Sequence, residues 1–258
     1  MSAAGAPDTT LVLQSHRQPL PLWWLEACLQ SVRSWAQSRG YCYRFEDDRL
    51  IHRLHPDLLA KTVARPAVAA DLGRLSALQA ALAEEFETVV WLDADTLVFD
   101  PARFELPAGP YALGRELWVE PAPGGGVKTW NKVHNAFLMF RSGNPFLDFY
   151  RHAAERIVGL HEGPMVSQLV GPKLLTALHN LIQCPVLEEA AVLAPAVAAD
   201  LLAGGGRCLD AFRAHTAAPP AVVNLCASLT GSQDGTGRMP RLIERLLADP
   251  AALRPPSL

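Results

Sequence analysis

No two cysteines in this 258-residue chain are spaced C-x-x-C, and the five present (Cys28, Cys42, Cys184, Cys208 and Cys226) are odd in number and far apart. That pattern excludes a disulfide scaffold and a zinc knuckle and fits a reducing compartment, so a cytoplasmic location is expected. A basic excess is missing too: 23 Lys and Arg stand against 26 Asp and Glu, a net charge of -3. With no overall positive field, nucleic acid is not an expected partner. The longest apolar stretch, Ala190 to Ala203, is broken by Pro195 and Asp200. It falls short of the ~20 apolar residues that a spanning helix needs. Residues Met1 to Thr10 hold no Lys or Arg, so they read as a flexible lead and not as an export signal. No internal repeat is present, which sets aside solenoids and propellers.

Half of the residues are hydrophobic, enough to bury one large α/β core. Leu11 to Leu13 is a short apolar run stopped by Gln14, Ser15 and His16, the pattern of a buried strand ending in a loop. Helical spacing follows from Trp23 to Gln37, Gly40 closes that helix, and Tyr41 to Phe45 alternates as a half-exposed strand. A second helix is expected from about Ala67 to Glu85, carrying Asp71 and Arg74. It feeds an almost wholly apolar strand, Thr88 to Leu92. Later, Tyr111 to Leu113 and Asn135 to Phe140 read as strands, Gly124 to Gly126 as a flexible loop or hairpin tip, and Pro145 to about Ile157 as a helix. Strands alternating with helices predict a doubly wound mixed α/β sheet in one domain, residues 11–235, between the N-terminal lead 1–10 and a C-terminal helix and tail 236–258. In that tail Leu242, Ile243, Leu246 and Leu247 lie among Arg238, Arg241 and Arg245. The stretch suits peripheral membrane contact or a terminal helix packed on the domain, and ordinary patterning favours the second.

The chemistry concentrates in VVWLDADTLVFD, residues 89–100. If the strand runs on, Asp93 and Asp95 share a face, Ala94 points away, and the two Cα atoms lie ~6.6 Å apart. Two carboxylates at a strand's C-terminal end suit a hard divalent ion that also binds a nucleotide diphosphate, since Mg²⁺ and Mn²⁺ take oxygen ligands and share them with phosphate. With thirteen aspartates in the chain, a bare D-x-D arises by accident about 0.6 times. Context therefore carries the weight: the pair sits where a buried strand meets solvent, the usual ligand position in open α/β sheets. The competing reading is a turn that merely uses two aspartates.

The string VVWLDADTLVFDP resembles the DXD segment of GT-A glycosyltransferases, and ADLGRLSAL resembles the Asp- and Arg-bearing helix of the capsular-polysaccharide, mannosyltransferase-like and glucosylating-toxin group. LPLWWLEACLQSVRSWAQSRGYCYRF, NAFLMFRSGNPFLDFY and GPKLLTAL are similar to segments of the same group, so the likeness spans roughly residues 11 to 230. It implies a metal-dependent hexosyltransferase, retaining in stereochemistry and acting in bacterial polysaccharide synthesis. The donor would be a UDP- or GDP-sugar, the acceptor a saccharide or other hydroxyl, and the cofactor Mn²⁺ or Mg²⁺. It also implies roles for residues. Asp71 and Arg74 would contact donor sugar or phosphate, Asp93 ribose or sugar, and Asp95 the metal. Asn135 would lie near the transferred sugar, and Gly171 with Pro172 would match a "GP" element before an acceptor-side helix. Gln14, Ala94 and Lys173 are further donor-site candidates, and Gln168 joins Asp93 and Asn135 as a candidate catalytic group.

The chain departs from the group twice. Relatives commonly have Gly-Gly-x-Tyr before the DXD segment, where this chain has Glu85-Phe86-Glu87-Thr88. Relatives also carry a late His-Leu-Trp string that supplies a metal or diphosphate contact; its counterpart here is Asn224-Leu225-Cys226, and His215 is the nearest late histidine. Asn224 would coordinate through its carbonyl, neutrally and weakly. The histidines form no H-x-x-x-H or H-x-E pair, so His134, His161, His179 and His215 read first as surface or satisfied core. Glu162 and Asp148 fit a solvated helix face as well as a sugar site. Trp23 and Trp24 read first as core, and the segment with Lys128, Trp130 and Lys132 as a lid or a hairpin. Two other function classes compete. An aspartyl-phosphate phosphatase also begins D-x-D, but its threonine four positions on is Leu97 here. A degenerate domain that binds nucleotide or partner without transfer draws support from Asn224.

Overall fold

The computed structural model describes residues 9–84, 86–227 and 237–255. The chain builds β1 (Thr10–Ser15), α1 (Leu25–Ser38) and β2 (Cys42–Glu46), then a 3-10 turn, α2 (Pro56–Thr62) and α3 (Pro66–Ala83). There follow β3 (Thr88–Leu92), β4 (Thr96–Val98), β5 (Tyr111–Pro121) and β6 (Val127–Arg141). The second half adds α4 (Pro145–Leu160), α5 (Pro172–Ile182), β7 (Val186–Val192), α6 (Pro195–Ala203), α7 (Arg207–His215) and β8 (Val222–Asn224). A last helix, α8, spans Arg238–Ala248. Helices α2 to α6 each carry proline in the first turn, where its missing N–H costs nothing and its fixed φ suits the helix.

The eight strands form one mixed sheet in the order β2-β1-β3-β6-β5-β7-β8-β4, flanked by helices. Strand β1 is parallel to both β2 and β3, and β6 runs antiparallel to β3 and β5. Alternation divides the core between the faces. Leu11 and Leu13 pack with Leu72, Leu75 and Leu78 of α3, whereas Val12 meets Val32 and Trp35 of α1. A further cluster gathers Leu97, Val223, Leu209, Phe212, Leu242 and Leu246 around β4, β8, α7 and α8. Leu242, Ile243 and Leu246 of α8 are buried there with Met239, so most of that terminal apolar stretch packs on the domain, while Leu247 is 50% exposed. No helix among the described residues is long and apolar enough to cross a membrane.

Two irregularities shape the sheet around one end of β3. Only residues 93–95 separate β3 from β4, a reach of at most about 14 Å between Leu92 and Thr96. In a flat sheet β4, five strands away, would stand ~24 Å off. The sheet therefore curls, bringing β8 and β4 back over the end of β3. The second irregularity is a bulge in β6: Leu113 pairs with Leu138, but the next residue, Gly114, pairs with His134. Asn135, Ala136 and Phe137 are the extra residues, and they fall beside the 93–95 turn.

His134 holds this bulge. The Ala136 N–H donates to its Nδ1 at 3.0 Å, which leaves the proton on Nε2, 3.1 Å from the Ala190 carbonyl it donates to. Burial lowers the imidazole pKa to about 4, so the ring is neutral at pH 7. Gly114 makes room for it: a Cβ there would lie 2.2 Å from Nε2. Gly114→Ala is expected to lower stability in urea unfolding by about 1–3 kcal/mol, the usual cost of overpacking; an unchanged midpoint would show that the ring is not wedged in this slot.

Candidate functional site

The site grows from the turn that ends β3. Thr96 N–H donates to Asp93 C=O at 3.0 Å, so residues 93–96 close a tight turn. This corrects the expectation of an extended Asp93-Ala94-Asp95: the two carboxylates are neighbours because the chain reverses direction, not because a strand alternates. The turn is anchored on three sides. Asp93 N–H donates to Ala136 C=O at 3.0 Å, Leu225 N–H donates to Asp95 C=O at 3.0 Å, and the Gln14 amide donates to Asp93 C=O at 3.1 Å. Ala94 is buried within it.

Arg74 of α3 lies across the turn. Its guanidinium reaches Asp93 Oδ1 at 3.0 Å and Asp71 Oδ1 at 3.3 Å, donates to the Asn135 carbonyl, and stands 5.1 Å from the centre of the Trp91 ring. Burial works against its charge, but Asp93 and Asp71 outweigh burial, and the pKa rises above the ordinary arginine value. Asn135 Nδ2 donates to Asp71 Oδ1 at 2.8 Å. Burial pushes the Asp71 carboxyl up to about 6, against the pull of Arg74 and the Asn135 bond. Gly171, the residue before α5, completes this corner: a Cβ there would lie 2.6 Å from Asp71 Oδ2 and 2.7 Å from Asn135 Nδ2. Asp71, Arg74, Asp93, Asn135 and Gly171, scattered over a hundred residues of sequence, therefore meet in one place.

Asp95 stands apart from this network, under β8. Its Oδ1 accepts from Asn224 Nδ2 at 2.6 Å and its Oδ2 from the Ala227 N–H at 2.7 Å. Burial and the neighbouring Asp93 charge push its carboxyl up to about 6. Asn224 departs from the ligand role considered above. Its carbonyl oxygen accepts the Cys226 N–H at 2.9 Å, which fixes the amide orientation, so a donor and not an oxygen faces Asp95. In this arrangement Asn224 supports a carboxylate, with its amide nitrogen and not its oxygen turned to Asp95.

Other candidates fall elsewhere. Gln14 is fully buried, with its amide on Asp93 and its oxygen accepting from Tyr43 at 3.0 Å, so it is a support beneath the turn with no surface for a ligand. His215 ends α7 and bonds the Ala211 carbonyl of its own helix at 2.8 Å. Gln168 and Lys173 are exposed, and the Lys173 N–H donates to the Gln168 carbonyl at 3.1 Å. His161 and His179 bond backbone carbonyls locally, and Asp148 pairs with Gln79 on the α3–α4 side. Trp24 is core, whereas Trp23 is 75% exposed.

Trp91 went unread in the sequence. Its Nε1 donates to Asp93 Oδ1 at 2.7 Å while its ring lies beneath Arg74. The signal was there, because a residue two positions before Asp93 on a strand shares its face. His134 is satisfied core, as its lack of a paired histidine or acid suggests, whereas Cys226 and the Ala227 N–H carry no such signal, since they arrive through the curl.

The acidic pair fits a divalent ion shared with a ligand. Asp93 Oδ1 takes both side-chain bonds, and among the described residues Oδ2 takes none, on a side chain 26% exposed. Each Asp95 oxygen accepts one bond and so keeps acceptor capacity. Among the described residues no three His, Cys, Asp or Glu side chains are grouped to hold an ion unaided. Magnesium-like ions commonly use one or two carboxylates and complete their shell with water and substrate phosphate.

No protein-family model matches the chain, and no curated protein matches it. Among solved structures it is similar to a glycosyltransferase involved in glycosylation of the major capsid of PBCV-1, at 12% identity and TM-score 0.48, covering 92% of this chain and 98% of that one. It is also similar to an active-site mutant of LgtC, at 13% identity and TM-score 0.44 over 92% and 95% of the two chains. A third is apo mouse xyloside xylosyltransferase 1, at 11% identity and TM-score 0.43 over 86% and 98%.

The Asp71 shift gives a signed prediction. A carboxyl whose folded pKa lies near 6, above the ordinary 3.8, binds its proton more tightly when folded. Its contribution to stability is therefore present below pH 4 and is lost as pH rises through 6. Asp71→Asn removes that term. Urea unfolding at pH 4, 5, 6 and 7 is expected to show wild type losing stability relative to the variant across this window; parallel curves would contradict the shift.

Proposed function

We propose that the chain is a GT-A type glycosyltransferase that moves a sugar from a nucleotide-diphosphate donor to an acceptor hydroxyl. The observation that carries this reading is the 93–95 turn. It sets two carboxylates at the end of a buried strand, beside a buried Arg74 shared by Asp71 and Asp93. Asp93 and Asp95 would hold the Mn²⁺ or Mg²⁺, which when bound neutralises charge developing on the departing diphosphate.

The residues around the turn supply order more than reactive groups. Arg74, paired on both sides, fixes Asp93 and carries its charge into a poorly solvated corner. Asn135 spends one amide hydrogen on Asp71, and Gly171, having no side chain, lets the backbone before α5 pack closely against both groups. A UDP- or GDP-hexose donor, retention of configuration and a role in bacterial polysaccharide synthesis belong to the same reading, through the sequence resemblance.

One observation favours a second reading, nucleotide binding without transfer: Asp95 already accepts a hydrogen bond at each oxygen, one of them from Asn224. Calorimetric titration of UDP, GDP and their hexose conjugates, with and without Mn²⁺, tests both. A transferase binds one of these with metal linkage and releases free nucleotide on turnover; a degenerate domain binds and releases nothing. Asp95→Asn is expected to weaken the metal-linked binding by roughly tenfold or more, about 1.4 kcal/mol, with an unchanged circular dichroism spectrum. Equal affinity in variant and wild type would remove Asp95 from the site.

A further inference from the structure

Beyond the turn, β5 and β6 continue as a two-stranded ribbon that the site described so far does not use. Register places Gly114 opposite His134, Glu116 opposite Lys132, Trp118 opposite Trp130 and Glu120 opposite Lys128. Side chains two apart on a strand share a face, so these pairs form one ladder leading away from the bulge. Three contacts confirm the shared face. Lys132 Nζ lies 3.7 Å from Glu116 Oε1 and 6.0 Å from the centre of the Trp130 ring, and Trp118 Nε1 donates to Glu120 Oε2 at 3.3 Å. The alternate residues Leu117 and Val119 are buried in the core, so the ribbon is fixed from behind.

The ladder starts at the acidic turn. Gly114 packs on His134, whose neighbour Asn135 belongs to the site, and Glu116 follows two residues on. From Gly114 to Trp118 is roughly 13 Å along the strand, the reach of a short oligosaccharide and not of one sugar.

We propose that this ribbon is a saccharide-binding platform that seats the acceptor, with Trp118 and Trp130 under sugar rings and the flanking Glu–Lys pairs on their hydroxyls. The inference rests on reading the turn as a transfer site. Three properties select the occupant. Indole faces present flat apolar area to the C–H face of a pyranose while keeping an N–H donor. Glu116, Glu120, Lys128 and Lys132 offer donors and acceptors in equal charge, so the face carries no net sign and does not favour a phosphate or an acidic peptide. Trp130 is 36% exposed and Glu120 and Lys128 are exposed, so the surface is open to a ligand.

Saturation-transfer NMR with maltotriose, cellotriose and mannotriose as probes tests the platform. Wild type is expected to bind at least one of them. Trp118→Ala with Trp130→Ala is expected to weaken that binding tenfold or more, and Trp130→Phe, which keeps a ring, to retain most of it. Because Trp118 also touches the core, the exposed Trp130→Ala alone serves as the second variant. Equal binding in wild type and both alanine variants overturns the proposal, as does no binding of any probe. A concentration-dependent dimer of wild type that Trp130→Ala dissolves in sedimentation also overturns it, by assigning the face to a second copy. Mn²⁺-linked binding of UDP or GDP is measured on the same samples. Its absence alongside intact saccharide binding removes the transferase reading, and with it the acceptor role, and leaves a saccharide-binding face; intact nucleotide binding without saccharide binding removes only the platform.

Discussion

A single buried guanidinium organises this protein's acidic centre. Arg74 links α3 to the ends of β3 and β6 by meeting Asp71, Asp93 and the Asn135 carbonyl at once, above the Trp91 ring. Buried charges of this kind are weak sources of stability, because desolvation offsets most of their attraction. Their consequence is geometric. Without Arg74, two poorly solvated carboxylates would face one another, and Asp93 would lose the contact that fixes its orientation. Arg74 and Trp91 both take one Asp93 oxygen, and among the described residues the other takes no side-chain bond.

The surrounding fold solves a problem that this corner creates. A turn of three residues joins strands lying five positions apart in the sheet order, so the sheet must curl and β6 must gain extra residues where the two ends approach. Backbone groups freed by the bulge need partners. His134 and Asp93 accept and donate to Ala136, and Arg74 donates to Asn135, so the residues that repair the bulge also build the site. Neutral, deeply buried His134 is therefore part of the scaffold, although its chemistry alone would nominate it as a ligand.

What the sequence made legible follows from which forces are local. The alternation of strands and helices, the apolar run Thr88–Leu92 and its abrupt end at Asp93 are short-range signals, and β3 has those bounds. Helix α3 was found with its end misplaced by two residues, Glu85 lying outside the described residues. The β5–β6 ribbon is legible as two short strands around a glycine loop or hairpin tip, of which the hairpin forms; its length is not legible, because its exposed half alternates charge with tryptophan and carries little apolar signal. Asp71, Arg74 and Asn135 were reached through resemblance; nothing local in their segments says that they converge. The orientation of Asn224 was beyond reach, since it depends on the Cys226 N–H across a turn set by the curled sheet.

Crystals grown with Mn²⁺ and a nucleoside diphosphate, measured at the manganese absorption edge, examine the acidic turn directly. The anomalous peak is expected within ligand distance of an Asp95 oxygen and of the diphosphate, with Asp93 facing the nucleotide and Arg74 still paired to it. A nucleotide bound with no manganese peak beside residues 93–95, or a peak elsewhere on the protein, would contradict the assignment of this turn as the centre of function.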